Sequence, residues 1–163
     1  MILHTVQRAK ESSAEHIIVA TDDTRIAELC EKASIDVQLT DAQHPSGTDR
    51  ISEVAQVRSW SDQKLIVGLQ GDEPATPPAH LDLLAQNLFN ENNADMATLC
   101  MPIRQSVDYL NKHRVKVVRD IKKSNWNNCA FYTTVAKFML AWWKPAMLAV
   151  WIILMMYRYW KRS

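Results

Sequence analysis

Two carboxylates, Asp72 and Glu73, directly follow the stretch Leu65-Ile66-Val67-Gly68-Leu69-Gln70-Gly71. An apolar run that stops at a glycine turn reads as a buried strand. In an open α/β sheet the ligand crevice lies just outside the carboxyl ends of the strands. A carboxylate there can hold a divalent cation against substrate phosphates, because Mg²⁺ takes oxygen ligands and keeps several waters. The same residues suit an ordinary strand-to-helix loop in which Asp72 and Glu73 only cap the next helix, and spacing alone leaves both readings open.

A second cluster, His44-Pro45-Ser46-Gly47-Thr48-Asp49-Arg50, precedes an apolar periodic stretch. Hydroxyls and backbone N–H groups at a helix N-terminus suit anionic or polar ligand atoms. Gly47 permits close backbone approach, and Arg50 offers a planar donor fork. The competing reading is a plain helix start, with Ser46 or Thr48 as cap, Asp49 complementing the dipole and Arg50 solvated. There is no Walker-type loop, no Gly-x-Gly-x-x-Gly and no nucleophile elbow. His4, His16, His80 and His113 are scattered without ligand spacing.

The elements that must position these clusters follow from periodicity. Ile2, Leu3, Val6 and Ala9 give residues 2–12 one apolar helical face, and His16–Thr21 is a β-branched strand run. Asp22 or Asp23 can cap a helix over Thr24–Ala33 with Ile26, Ala27, Leu29 and Cys30 as its buried stripe. A strand over Asp36–Leu39 and a loop over Thr40–Thr48 lead to a helix through Ile51, Val54, Ala55 and Val57. After the strand Lys64–Leu69, Pro77 and Pro78 start a helix carrying Leu81, Leu84, Ala85 and Leu88. Asp95–Met101 reads as strand, Val107–Asn111 as a short helix and Arg114–Arg119 as strand. Alternation of this kind predicts an α/β fold with a mostly parallel sheet and helices on both faces.

The 163 residues fit one ordinary domain. The net charge of +1 hides a split: residues 1–120 carry 12 basic and all 18 acidic residues, whereas residues 121–163 carry 7 basic residues and no acid. Five of the six Trp lie in that tail, so the two regions differ in character as well as charge. Such asymmetry accompanies nucleic-acid or membrane binding, or separate origins. Lys112-His113-Arg114 reads as a solvated turn rather than a nucleic-acid patch. Phe138–Trp143 and Ala146–Tyr157 are apolar throughout, but Lys144-Pro145 interrupts them, which argues against a membrane span of about 20 residues. Cys30, Cys100 and Cys129 show no metal or disulfide spacing, and Met1–Val6 lacks signal-peptide features, so a cytoplasmic protein is expected.

In order along the chain, Ile18–Asp23, His44–Arg50, Gln70–Pro74, Met96–Leu99 and Val115–Val118 closely resemble the 3-deoxy-manno-octulosonate (KDO) cytidylyltransferases, or CMP-KDO synthetases, of Gram-negative bacteria. The resemblance covers about residues 1–120 and implies a Rossmann-like nucleotidyltransferase sheet. It implies transfer from CTP to KDO, giving CMP-KDO and pyrophosphate for lipopolysaccharide biosynthesis. The sugar's anomeric hydroxyl attacks the α-phosphate, and Mg²⁺ offsets charge on the phosphate oxygens. On the matching motifs, Asp72 is the catalytic metal ligand. Gln70 and Gly71 line the sugar or nucleotide side of the crevice, and Ser46, Gly47 and Arg50 belong to the cytidine pocket. Glu73 shapes the turn or caps the next helix.

Departures from the family pattern carry their own expectations. The family opens with a strand and a loop resembling Pro-Ala-Arg-x-x-Ser-x-Arg-Leu-Pro-x-Lys, which this sequence lacks. That strand is central in the family's sheet, so its absence implies unpaired neighbouring strand edges and missing phosphate-neutralising residues. Beyond Asp120 neither the dimerisation segment nor the second metal-binding Asp is matched. The resulting expectation is an incomplete domain over residues 1–120, an unrelated tail over 121–163 from a shifted reading frame, little or no activity, and a doubtful homodimer. The rival readings are a membrane-associated or interaction protein anchored by Phe138–Trp160, and a non-functional pseudogene product.

Overall fold

The computed structural model describes residues 1–91, 94–100, 102–112, 116 and 150–156. Along them run α1 (Ile2–Lys10), β1 (His16–Thr21), α2 (Thr24–Lys32), β2 (Asp36–Leu39), α3 (Gly47–Val57), β3 (Leu65–Gln70), α4 (Pro78–Asn90), α5 (Ser106–Leu110) and β4 (Val150–Met156). Up to α4 the alternation is the one periodicity predicts. The strand expected over Asp95–Met101 is not formed by its described residues, 95–100. A short run of strand-formers becomes a strand only against a neighbouring edge, and among the described residues β3 pairs with β4 alone. The strand expected over Arg114–Arg119 lies outside the described residues, save Lys116.

The sheet order is β2-β1-β4-β3. β1 and β2 are parallel, with Val19 opposite Val37. β4 runs antiparallel to both β1 and β3, so β1, β2 and β3 all point the same way. Ile152 is the Cα partner of Val19 on one side and of Leu69 on the other. The expectation of open strand edges is therefore corrected. Residues 150–156, assigned by composition to a separate tail, fill the centre of the sheet. Ile152, within this apolar run, is fully buried. Among the described residues no helix is long and apolar enough to cross a membrane.

Strand alternation sorts the core into two layers. On one face Val19, Val67, Leu69 and Ile152 pack with Ile2, Val6 and Ala9 of α1, Cys30 of α2, and Leu81 and Ala85 of α4. On the other, Ile18 and Ala20 pack with Val54 of α3, backed by Ile51, Trp60 and Ile66. Each fully buried Val or Ile side chain contributes about 1.5–3 kcal/mol by leaving water. Leu3, Leu29 and Val57, expected on buried stripes, are exposed instead. A single-face stripe is about 100° wide, and Thr5, not Leu3, completes the one on α1.

Two helices stop in the same way. Ser34 and Ser59 take positive φ (54° and 50°). Past α2, the Ile35 N–H reaches the Cys30 carbonyl at 2.9 Å and the Ser34 N–H the Glu31 carbonyl at 2.9 Å. Past α3, Trp60 to Ala55 (2.9 Å) and Ser59 to Gln56 (3.0 Å) repeat the pattern. These are Schellman caps, in which a left-handed residue lets the chain satisfy the last carbonyls.

Candidate nucleotide-binding edge

Because β1, β2 and β3 point the same way, their following loops emerge at one edge of the sheet, where an open α/β sheet binds ligands. The β1 end begins with Thr21, whose hydroxyl accepts from the Asp23 N–H at 3.1 Å. Asp23 caps α2 by accepting from the Arg25 N–H at 2.8 Å. The Arg25 guanidinium grips the same carboxylate, holding it well below the usual range, at about 2.

The loop after β2 is tied down from α3. The Thr40 N–H donates to the Thr21 carbonyl at 3.0 Å, joining the ends of β2 and β1. Arg50 then crosses beneath both loops: Nη2 donates to Asp22 Oδ2 at 3.0 Å, and Nη1 donates to the Thr40 hydroxyl. One turn further along α3, Glu53 accepts from the Asp41 N–H at 3.0 Å and pairs with His44 Nε2. The His44 contact, then the Asp41 N–H, hold the Glu53 carboxyl below its ordinary value. Residues three apart share a helix face, so Arg50 and Glu53 together fix the Thr40–Ser46 loop.

These contacts decide the local readings of the cluster. Ser46 is the N-cap of α3, accepting from the Asp49 N–H at 3.2 Å while donating to the Asp49 carboxylate. Gly47 is the first helical residue. Arg50 is not solvated: it is 2 % exposed, in an ion pair with Asp22. Its Nε has no hydrogen-bond partner among the described residues. A buried donor of this kind costs free energy until an acceptor reaches it. Asp22, Thr40 and Glu53 were not legible as a unit, since they are brought to Arg50 and His44 only by the packing of α3 on the sheet.

At the β3 end, Gln70 is the last strand residue and half-buried, Gly71 is buried, and Asp72 is exposed. The Glu73 N–H closes a turn on the Gln70 carbonyl at 3.1 Å. Gly71 does not adopt positive φ, so glycine here serves close packing rather than a left-handed turn. Loss of water, and then the neighbouring Asp72 carboxylate, push the Glu73 carboxyl above its ordinary value. Neither residue caps α4, whose N-cap is Pro77. Gln70–Asp72 and Ser46–Arg50 thus reach the same sheet edge on different loops, with β1 and β3 separated by β4.

No group of three or more His, Cys, Asp or Glu side chains among the described residues forms a metal cage. An exposed carboxylate at a strand end nonetheless fits Mg²⁺, which binds through one or two carboxylates plus waters and substrate phosphates. The edge also carries Asp22 and Asp23, each paired with an arginine, and Asp41 and Asp49.

A layered α/β sheet with carboxylate- and hydroxyl-bearing loops at the carboxyl ends of its parallel strands fits the Rossmann-like nucleotidyltransferase class. The family model described as Cytidylyltransferase matches residues 1–138, and the chain belongs to that family. The 3-deoxy-manno-octulosonate cytidylyltransferase of Thioalkalivibrio sulfidiphilus is 49% identical over 120 residues, 74% of this chain and 48% of that protein. Those of Nitrosococcus oceani (42% over 122 residues) and Acinetobacter baumannii (45% over 119) cover 75% and 72% of this chain. The chain spans about half the length of these relatives.

Proposed function

We propose that this chain serves cytidylyl transfer from CTP to 3-deoxy-manno-octulosonate, giving CMP-KDO and pyrophosphate for lipopolysaccharide biosynthesis in the cytoplasm. The observation that carries the reading is the exposed Asp72 on a turn at the carboxyl end of β3, in a chain of this family. Asp72 holds Mg²⁺ through its carboxylate, with water and phosphate oxygens completing the shell. The ion supplies charge neutralisation at the α-phosphate when bound. Ser46 and Gly47 present the start of α3 to the nucleotide, and Gln70 and Gly71 line the crevice beside Asp72. Arg50 acts from below: it holds the Asp22 and Thr40 loops that border the crevice.

The test is a titration of the ¹⁵N-labelled chain with CTP and Mg²⁺. Amide shifts at residues 46–50 and 70–73 are expected, with the metal-dependent part lost in Asp72→Asn. Equal shifts with every nucleoside triphosphate, or none at these residues, sink the reading. A pyrophosphate-release assay with CTP, KDO and Mg²⁺ accompanies it. Any pyrophosphate release is expected to depend on Mg²⁺ and to be lost in Asp72→Asn.

A further inference from the structure

The apolar face of α1 contains one polar side chain. Thr5 lies between Ile2, Val6 and Ala9 on the buried stripe and is wholly inaccessible to solvent. Its hydroxyl donates to the Gly71 carbonyl at 2.9 Å, joining residues 66 apart in sequence. The alternative acceptor, the Met1 carbonyl one turn back, is at 3.5 Å. A threonine hydroxyl has one proton, and the shorter contact takes it.

We propose that Thr5 is a positioning residue for Asp72, acting through the Gly71–Asp72 peptide. This rests on the reading of Asp72 as the metal-holding carboxylate. The Gly71 carbonyl and the Asp72 N–H and Cα belong to one planar unit. Anchoring that carbonyl therefore fixes the plane from which Asp72 projects. The turn's own closing bond uses the Gln70 carbonyl, so it leaves the orientation of the next peptide to another partner. Gly71 is buried, and a buried carbonyl without a donor is costly, which makes the Thr5 contact the stabilising one. A catalytic carboxylate displaced by about 1 Å loses much of its effect; the helix supplies the rigidity that a loop lacks.

The experiment uses the full chain with Thr5→Val, which keeps the β-branched shape and removes the hydroxyl, and Thr5→Ser, which restores it. Two readouts are taken: hydrogen exchange of the Glu73 amide, and Mn²⁺ affinity in the presence of CTP by electron paramagnetic resonance. Thr5→Val is expected to speed Glu73 exchange and weaken Mn²⁺ binding by up to about tenfold, the worth of a single neutral hydrogen bond. The β1 and β2 amides keep their protection, and Thr5→Ser stays within about twofold on the same scale. Unchanged Glu73 exchange in Thr5→Val, or Thr5→Ser behaving like Thr5→Val, overturns the proposal. If the unsubstituted chain shows no Mn²⁺ affinity that Asp72→Asn removes, the metal reading of Asp72 fails instead, while the exchange data still decide whether Thr5 orders the turn.

Discussion

Ile152 tests the most consequential feature of the fold, the insertion of a tail strand between β1 and β3. Its side chain is fully buried, in the core layer shared with Val19, Val67 and Leu69. Replacing a buried isoleucine by alanine removes its transfer free energy and leaves a cavity, costing about 2–5 kcal/mol. That is a large share of a typical total of about 5–15 kcal/mol. For a domain of this size, about 2–4 °C of melting temperature accompanies each kcal/mol, so Ile152→Ala is expected to melt about 4–20 °C lower. Thermal melts followed by circular dichroism measure the shift. Amide exchange at Val19 and Leu69, the two Cα partners of Ile152, is expected to accelerate with it. Val107→Ala supplies the reference, because Val107 is 65 % exposed and such a surface change stays within about 0.5 kcal/mol. If Ile152→Ala melts with Val107→Ala, the strand does not occupy the slot and the reasoning is wrong.

Other outcomes follow from the same contacts. Arg50→Met strips Asp22 and Thr40 of their partner; the cost is expected at about 3 kcal/mol in urea denaturation, the low end for a broken buried pair because Asp22 retains 21% side-chain exposure. A loss under about 1 kcal/mol, in the range of a surface pair, contradicts the buried clamp. Ser34→Gly and Ser59→Gly relieve left-handed strain at two caps, and each is expected to stabilise by about 0.5–1 kcal/mol after the entropy of glycine is counted; a destabilised variant refutes that cap geometry. The Asp23 carboxyl, held at about 2 by Arg25, lies below its unfolded value near 4. Its contribution is therefore complete above about pH 4 and is lost as pH falls towards 2. NMR titration is expected to find that low midpoint, and Arg25→Ala to raise it.

Most of the element order was legible because local signals agreed. Apolar periodicity set α1, α2 and α4, the β-branched run set β1, the short stretch Asp36–Leu39 read as β2, Asp23 and Ser46 announced helix starts, and Pro78 opened α4. The pattern over Asp95–Met101 reads as strand, yet its described residues 95–100 form none, since a local pattern carries no information about whether an edge awaits it. The candidate site was legible in part. Asp72 at a strand end was readable, but the burial of Arg50 was not, because arginine beside a helix cap is ordinarily solvated. Nor was Thr5, a polar residue on an apolar stripe, distinguishable from its neighbours without the Gly71 carbonyl above it.

By itself the sequence determined where the chain turns from strand to helix, which residues form the two carboxylate- and hydroxyl-bearing loops, and the family those loops resemble. Each depends on residues close along the chain, whose propensities act without distant partners. Tertiary structure alone decided three things. It put Val150–Met156 at the centre of the sheet, buried Arg50 between Asp22 and Thr40, and brought the Thr5 hydroxyl to Gly71. All three join residues well separated in sequence, where the gain comes from satisfying buried polar groups and strand edges that only the assembled layers bring within reach.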